Sequence, residues 1–316
     1  MTACSRCGQE SRVKTRGEHF CEDCYIGFLN IKFRKNLDIF RVNFMASSVP
    51  KLLVPVSFGL GSLVLVDMLG ELLLRQRTNH GGRIGFTVQC VYVGDDIMEW
   101  PFGDDLPLIH IPKEKIFSEA FKIDGQPLTD SQLRGLSRSS IQDLEFQLRG
   151  RLISDIAKNY EAVVMGYSMT RLSELVISET VKGRGAGIPD LVAPGGRDRI
   201  YPLREILDDE LQKYAQLRNL QKYVRPDRPV PMVTKMQSID ELVHRYFVDV
   251  QKEFPAVVST VAKTASKLAQ DTEECSVCGD GQGVCYACNV MLKARDSEKV
   301  IERMPTDDIL AKYLLD

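Results

Sequence analysis

Between Cys90 and Cys275 this 316-residue chain contains no cysteine. Thiolate chemistry run from the middle of the chain is thereby excluded, because serine cannot supply a thiolate and the Ser137–Ser140 region offers no equivalent nucleophile. Charge of one sign is missing too. With 41 Lys and Arg against 43 Asp and Glu, the formal net charge is −2, so any nucleic-acid contact must rest on a local basic face. Long hydrophobic runs are lacking: the apolar stretch Leu63–Leu74 is broken by Asp67 and Glu71, which speaks against a membrane span. Residues 1–30 hold no apolar run of signal-peptide length, an expectation of a cytosolic or nuclear setting. The single Trp100 and the lack of low-complexity tracts fit an ordered globular protein.

What is present is grouped. Cys4, Cys7, Cys21 and Cys24 form one Cys-x-x-Cys…Cys-x-x-Cys set, and Cys275, Cys278, Cys285 and Cys288 form a second, together eight of the nine cysteines. Two residues between paired cysteines let one turn direct both sulfurs at one metal, so each set is expected to hold a structural zinc in a closed tetrahedral site. An iron–sulfur cluster is the alternative that uses the same thiolates. A disulfide framework would need an oxidising compartment. The ninth cysteine, Cys90, lies on an alternating strand and reads as a core thiol.

Along the chain, Tyr25–Arg41 reads as a helix whose Lys32, Arg34, Lys35 and Arg41 form a basic face, either solvated or a candidate for RNA phosphates. Leu52–Val56, a glycine-containing loop and Leu63–Gln76 read as strand, loop and helix. Gly85–Gly94, Leu106–Ile111, Glu161–Tyr167 and Arg199–Leu203 are further strands, and Asp143–Lys158, Leu172–Val181 and Asp208–Asn219 are helices. That alternation predicts an α/β unit with a parallel sheet and helices on both faces. Gly183–Arg199 is expected to be a mobile loop over the carboxyl ends of the strands, and its Arg184, Arg197 and Arg199 form a second, weaker basic group. Ile239–Gln270 reads as mostly helical and Met304–Leu315 as a last helix. Three regions follow: residues 1–45 with the first zinc module and basic helix, 46–230 as the α/β domain, and 231–316 as a helical segment with the second zinc module. His80, His110 and His244 show no metal spacing, and Asp95-Asp96 and Asp104-Asp105 read as solvated turns.

This order of parts resembles the tRNA 2-thiolation family, over nearly the whole chain. Active members are adenylating sulfurtransferases with a Ser-Gly-Gly-x-Asp-Ser pyrophosphatase loop, which this sequence meets as Ser57-Phe58-Gly59-Leu60-Gly61-Ser62. Gly59 and both serines match, whereas Phe58 and Gly61 replace a glycine and the aspartate. A later Gly-His-Asn-x-x-Asp motif corresponds to Gly166-Tyr167-Ser168-Met169-Thr170-Arg171, where only the glycine is kept; Glu174 and Pro202-Leu203 also keep the pattern. The internal Cys-x-x-Cys pair and further cysteine of active relatives are gone.

The resemblance implies an adenine-nucleotide alpha-hydrolase-like fold with a degenerate phosphate loop at Ser57, Gly59, Gly61 and Ser62. It further implies a catalytically silent cytoplasmic subunit that forms a heterodimer with an active paralogue, helps bind tRNA, and meets a ubiquitin-like sulfur carrier through the complex. No catalytic residue is assigned, and ATP turnover by this chain is not expected. The loop residues also admit a plain strand-to-helix turn, since glycines permit tight geometry without any phosphate. An adenylating tRNA sulfurtransferase with an atypical loop and a zinc-dependent RNA-binding scaffold outside thiolation remain as alternatives.

Overall fold

The computed structural model describes residues 2–43, 49–79, 84–123, 125–129, 133, 135–192, 199–226, 237–265, 288, 290–291 and 301–314. The chain opens with a short hairpin, β1 (Val13–Thr15) and β2 (Glu18–Phe20), followed by the long helix α1 (Glu22–Asn43). Then come β3 (Lys51–Val56), α2 (Leu60–Asn79), β4 (Thr87–Val93), β5 (Leu108–Ile111), α3 (Lys113–Ala120), β6 (Phe121–Ile123), β7 (Gln126–Pro127) and α4 (Arg138–Ile156). The second half holds β8 (Ala162–Val164), α5 (Met169–Lys182), α6 (Ile188–Val192), β9 (Arg199–Ile200), α7 (Asp208–Leu217), α8 (Ile239–Glu253), α9 (Pro255–Ala265), β10 (Ile301–Arg303) and α10 (Asp307–Leu310).

The central sheet runs β5-β4-β3-β8-β9, and every pairing in it is parallel. Its strands are apolar on both faces, as a sheet covered on both sides requires. Leu52, Val54 and Val56 of β3 join Cys90 and Tyr92 in the core beneath α1, α2 and α7, while Leu53, Val91, Val93 and Val163 face the core formed with α3 and α4. The two-residue period of a strand thus sorts one sequence run into two cores. The C-terminal segment packs on this unit: α8 and α9 lie on α5, where Ser173 Oγ donates to the Val258 carbonyl at 2.8 Å, and β10 pairs antiparallel with β6.

Helix ends follow their caps. Ser168 accepts from Arg171 N–H at the start of α5, which stops at Gly183 with φ +84. Ser238 and Glu241 form a capping box on α8.

Two expectations need correction. The segment after Gly183 is not a loose loop as far as residue 192: a 3-10 turn at Gly185–Gly187 leads into α6, and Ile188, Val192 and Arg184 are buried. Apolar residues at 188, 191 and 192 pin it onto α5 and α9, and glycine content alone hid this. The expected last helix shrinks to the single turn of α10. Residues 193–198, including Arg197, lie outside the described residues, as do His80, Cys275, Cys278 and Cys285.

Candidate functional site

The N-terminal cysteines come together. The Sγ atoms of Cys4, Cys7, Cys21 and Cys24 all lie within 4.8 Å of one another. The Cys7–Cys21 separation of 3.5 Å is far beyond the ~2.05 Å of a disulfide bond. Zinc–sulfur bonds of ~2.3 Å at tetrahedral angles place sulfurs about 3.8 Å apart, so the four thiols fit one mononuclear ion. Crowding also splits their acidity: the Cys21 backbone pulls Cys4 down to about 6, while the Cys21 and Cys7 side chains push Cys24 up to about 12. A shared cation removes that conflict. Gly8, with φ +75, makes the turn under the first pair. Of the second set only Cys288 is described; it is buried in the core formed with α3 and α4.

The degenerate loop occupies the carboxyl end of β3 and leads directly into α2, but it is closed on itself. Ser57 N–H donates to Ser62 Oγ at 3.3 Å, Gly59 N–H to Ser57 Oγ at 3.2 Å, and Ser62 Oγ to the Gly59 carbonyl at 2.9 Å. Two amides that a phosphate would need are therefore already used. Phe58 takes a left-handed φ of +57, a conformation costing roughly 1–2 kcal/mol outside glycine. Its buried ring packs edge-on against Tyr92 at 5.0 Å and Trp100 at 6.1 Å, and its carbonyl accepts from Arg225 N–H at 2.7 Å. Burial and aromatic contact hold the strained residue in place.

Gly61 stands where the resemblance puts a carboxylate. A Cβ there would meet the Gly166 carbonyl oxygen at 2.2 Å, and a Cβ at Gly166 would meet Gly61 O at 2.7 Å. Backbone from the start of α2 and from the segment after β8 is thus in direct contact, leaving no space for an aspartate.

Ser57, Gly59, Gly61 and Ser62 line a cleft of about 1450 Å³ at the carboxyl ends of the strands. Its walls include Arg149 and Arg151 from α4, Arg171 from α5, Arg199 from β9 and Lys14 and Arg16 from the hairpin, and none of the described residues that line it is a cysteine. Cys90 is fully buried, and burial pushes its thiol up. Arg171, in the place of the family's aspartate, pairs with Glu174 at 2.9 Å, and His244 Nδ1 lies 2.7 Å from the other Glu174 oxygen. Burial raises the Glu174 carboxyl, but His244 and Arg171 outweigh it and hold it below the usual range. Asp208, the first residue of α7, is pushed up to about 6, chiefly by desolvation.

The expected basic face of α1 is divided in the structure. Lys32 Nζ lies 3.7 Å from Glu210 and over the Phe28 ring, and Lys35 pairs with Glu205 at 3.0 Å, so both turn toward the α/β unit. Arg34 is exposed and has no ion pair among the described residues; Arg41 continues the helix. Arg184 is buried between Glu179 and Asp143, a structural role. His110 is also structural, stacked on Tyr92 and bonded to Gly94 O at 2.6 Å. Sequence reasoning missed Arg149, Arg151 and Glu210 and gave His244 no place in the cleft. Glu210 and His244 find their partners far off in the chain, so no local pattern announced them.

A family model described as cytoplasmic tRNA 2-thiolation protein 2 matches residues 238–308. Curated relatives of that name include one from Pyrenophora tritici-repentis, 31% identical and covering 87% of this chain and 83% of the relative. Another, from Yarrowia lipolytica, is 30% identical and covers 92% of this chain and 82% of the relative. Among solved structures, the U34-tRNA thiolase NcsA from Methanococcus maripaludis with its 4Fe–4S cluster superposes with a TM-score of 0.63 at 18% identity, covering 91% of this chain and 95% of that chain. That likeness shows a shared fold.

Proposed function

Because the chain belongs to the cytoplasmic tRNA 2-thiolation protein 2 family, we propose that it serves wobble-uridine 2-thiolation of tRNA as a non-catalytic subunit. The observation that carries this reading is the contact of Gly61 with Gly166, which shuts the carboxylate slot of the phosphate loop. That no described residue lining the cleft is a cysteine supports it, since sulfur transfer needs a thiolate next to the activated base. The chemistry then belongs to an active sulfurtransferase paralogue, with which this chain forms a heterodimer, and the ubiquitin-like sulfur carrier is met through that complex. This chain contributes tRNA-binding and partner-binding surface in the cytoplasm.

The Cys4, Cys7, Cys21 and Cys24 site is assigned to structural zinc, and Cys275, Cys278, Cys285 and Cys288 to a second zinc. Closed four-thiolate sites shape a surface and leave no open position for substrate. The three regions 1–45, 46–230 and 231–316 are read as metal module, α/β domain and C-terminal segment. For RNA, the basic cleft wall at Arg149, Arg151 and Arg199 supports contact better than Lys32 and Lys35, whose charges are paired. Mass spectrometry of tRNA from a deletion strain tests the role: wobble thiolation should vanish and return on complementation with Ser57→Ala. Persistent thiolation in the deletion strain would remove the protein from this pathway.

A further inference from the structure

The hairpin between Cys7 and Cys21 reaches from the four-thiol site to the cleft. Lys14, Thr15, Arg16 and Gly17 are cleft-lining residues, although the cysteines that anchor them lie at the other end of the hairpin. At its turn, Arg16 donates from Nε to Glu210 Oε1 at 2.8 Å and from Nη2 to Oε2 at 2.9 Å, with a further bond from Nη2 to the Glu205 carbonyl. Thr15 Oγ1 adds a bond to Glu210 Oε1 at 3.1 Å, and Tyr25 OH, just after Cys24, donates to the Glu210 backbone carbonyl at 2.8 Å. Glu210 itself is fully buried in the first turn of α7, beside Asp208. Burial alone would push its carboxyl up; Arg16, the Leu207 N–H and Lys32 outweigh that and hold it ionised.

A hairpin with three-residue strands does not hold its shape alone, and a module this small needs a metal or a partner surface. Here it has both, the thiolate site at its base and a buried carboxylate at its tip. We infer that Glu210 is a positioning residue that turns the four-thiolate module into a wall of the cleft, so that metal at the cysteines and order in the first turn of α7 depend on each other. With the metal bound, Arg16 is held on Glu210, and Lys14 and Arg16 stand at the cleft. Without it the hairpin loosens, Arg16 withdraws, and the first turn of α7 is left with a buried charge lacking its bidentate partner. This coupling is independent of what enters the cleft and of the role proposed above.

Hydrogen-exchange mass spectrometry of the full chain tests it, with metal content measured on the same samples. The set is the unmodified protein, Cys4→Ser, Glu210→Gln, and the double variant. Glu210→Gln should still take up its N-terminal metal equivalent but release it to a chelator more readily, as reciprocal coupling requires, while amides of β1, β2 and the first turn of α7 exchange about tenfold faster. Cys4→Ser should produce the same acceleration at α7, outside the module it disrupts, and the double variant should add little there, as expected of one coupled unit. Glu210→Asp should recover part of the protection, which general destabilisation would not. Arg16→Gln attacks the same pair from the exposed side and should match Glu210→Gln if the latter folds poorly. An α7 turn whose exchange is unchanged in Cys4→Ser, or effects that simply add in the double variant, would overturn the inference.

Discussion

Two regions meet at the same cleft and have kept opposite halves of a site. The N-terminal module retains all four thiols at metal-binding distance, whereas the Ser57–Ser62 loop retains the backbone path and has lost the carboxylate and the space for one. A tetrahedral site depends on side-chain identity at every ligand, so a module that keeps its ligands keeps its chemistry. A phosphate loop depends on open amides and a cation partner, and here serine hydroxyls cap the amides while Gly166 fills the gap. The contrast is between four thiols placed to share a cation and a loop closed on itself.

Damage to the four-thiol half should have the largest effect. Cys21→Ser removes one thiolate of the four; we expect loss of the N-terminal metal equivalent and unfolding of the module, because metal binding at such sites is folding energy of roughly 10 kcal/mol or more. Elemental analysis and thermal denaturation report both, and retention of the metal would contradict the assignment.

Refilling the emptied half should fail. Gly61→Asp would restore the family's carboxylate, yet its Cβ meets Gly166 O at 2.2 Å. We expect a loss of about 1–3 kcal/mol, the usual cost of overpacking, and no gain of ATP turnover. Gly61→Ala should lose nearly as much in a denaturant titration. A variant as stable as the parent would mean that the slot is open.

Two cations of the basic helix should respond differently to reversal. Lys32→Glu places a second carboxylate beside the buried Glu210 and should destabilise the module's docking, whereas Arg34→Glu should leave stability alone. If Arg34 meets a tRNA phosphate, its reversal removes roughly 0.7–0.9 from the log–log salt slope of binding; an unchanged slope returns it to a solvated face. Acid should act on the same docking. Glu210 has a pKa held below its unfolded value, so its stabilisation is complete above the unfolded carboxyl range near ~4.3 and is lost as pH falls through the lower folded value. Protection of the hairpin amides followed between pH 7 and 3 should show that loss, and Glu210→Gln should leave only the part that follows metal release from the thiolates, measured on the same samples. The smallest effect is expected from Cys90→Ser, a buried thiol outside the cleft: metal content should not change, and tRNA thiolation in cells should stay near normal.

Much of the fold could be read from the chain. The five parallel strands announced themselves by apolar runs separated by helical periodicity, and Cys-x-x-Cys spacing located the metal module because its ligands are local in pairs. The closed loop was only half legible: Phe58 and Gly61 were visible as departures, but that Gly61 touches Gly166 depends on two backbone segments more than a hundred residues apart. Glu210 was hidden for the same reason. In Asp208-Asp209-Glu210 three acids begin one helix, and only tertiary packing decides that the third is buried against Arg16 while the first lines the cleft. The helical reading of Lys32 and Lys35 was right; that Lys32 is largely covered beside Glu210 while Lys35 stays exposed could not be read, because periodicity gives a face without saying what covers it.

A closed phosphate loop should leave the cleft without ATP chemistry. ATP turnover by the purified, metal-loaded chain, measured with and without tRNA and beside Ser57→Ala, tests it most directly. The account predicts no turnover above background in either protein. Robust turnover by the unmodified chain that disappears in Ser57→Ala would contradict it and make this chain an enzyme.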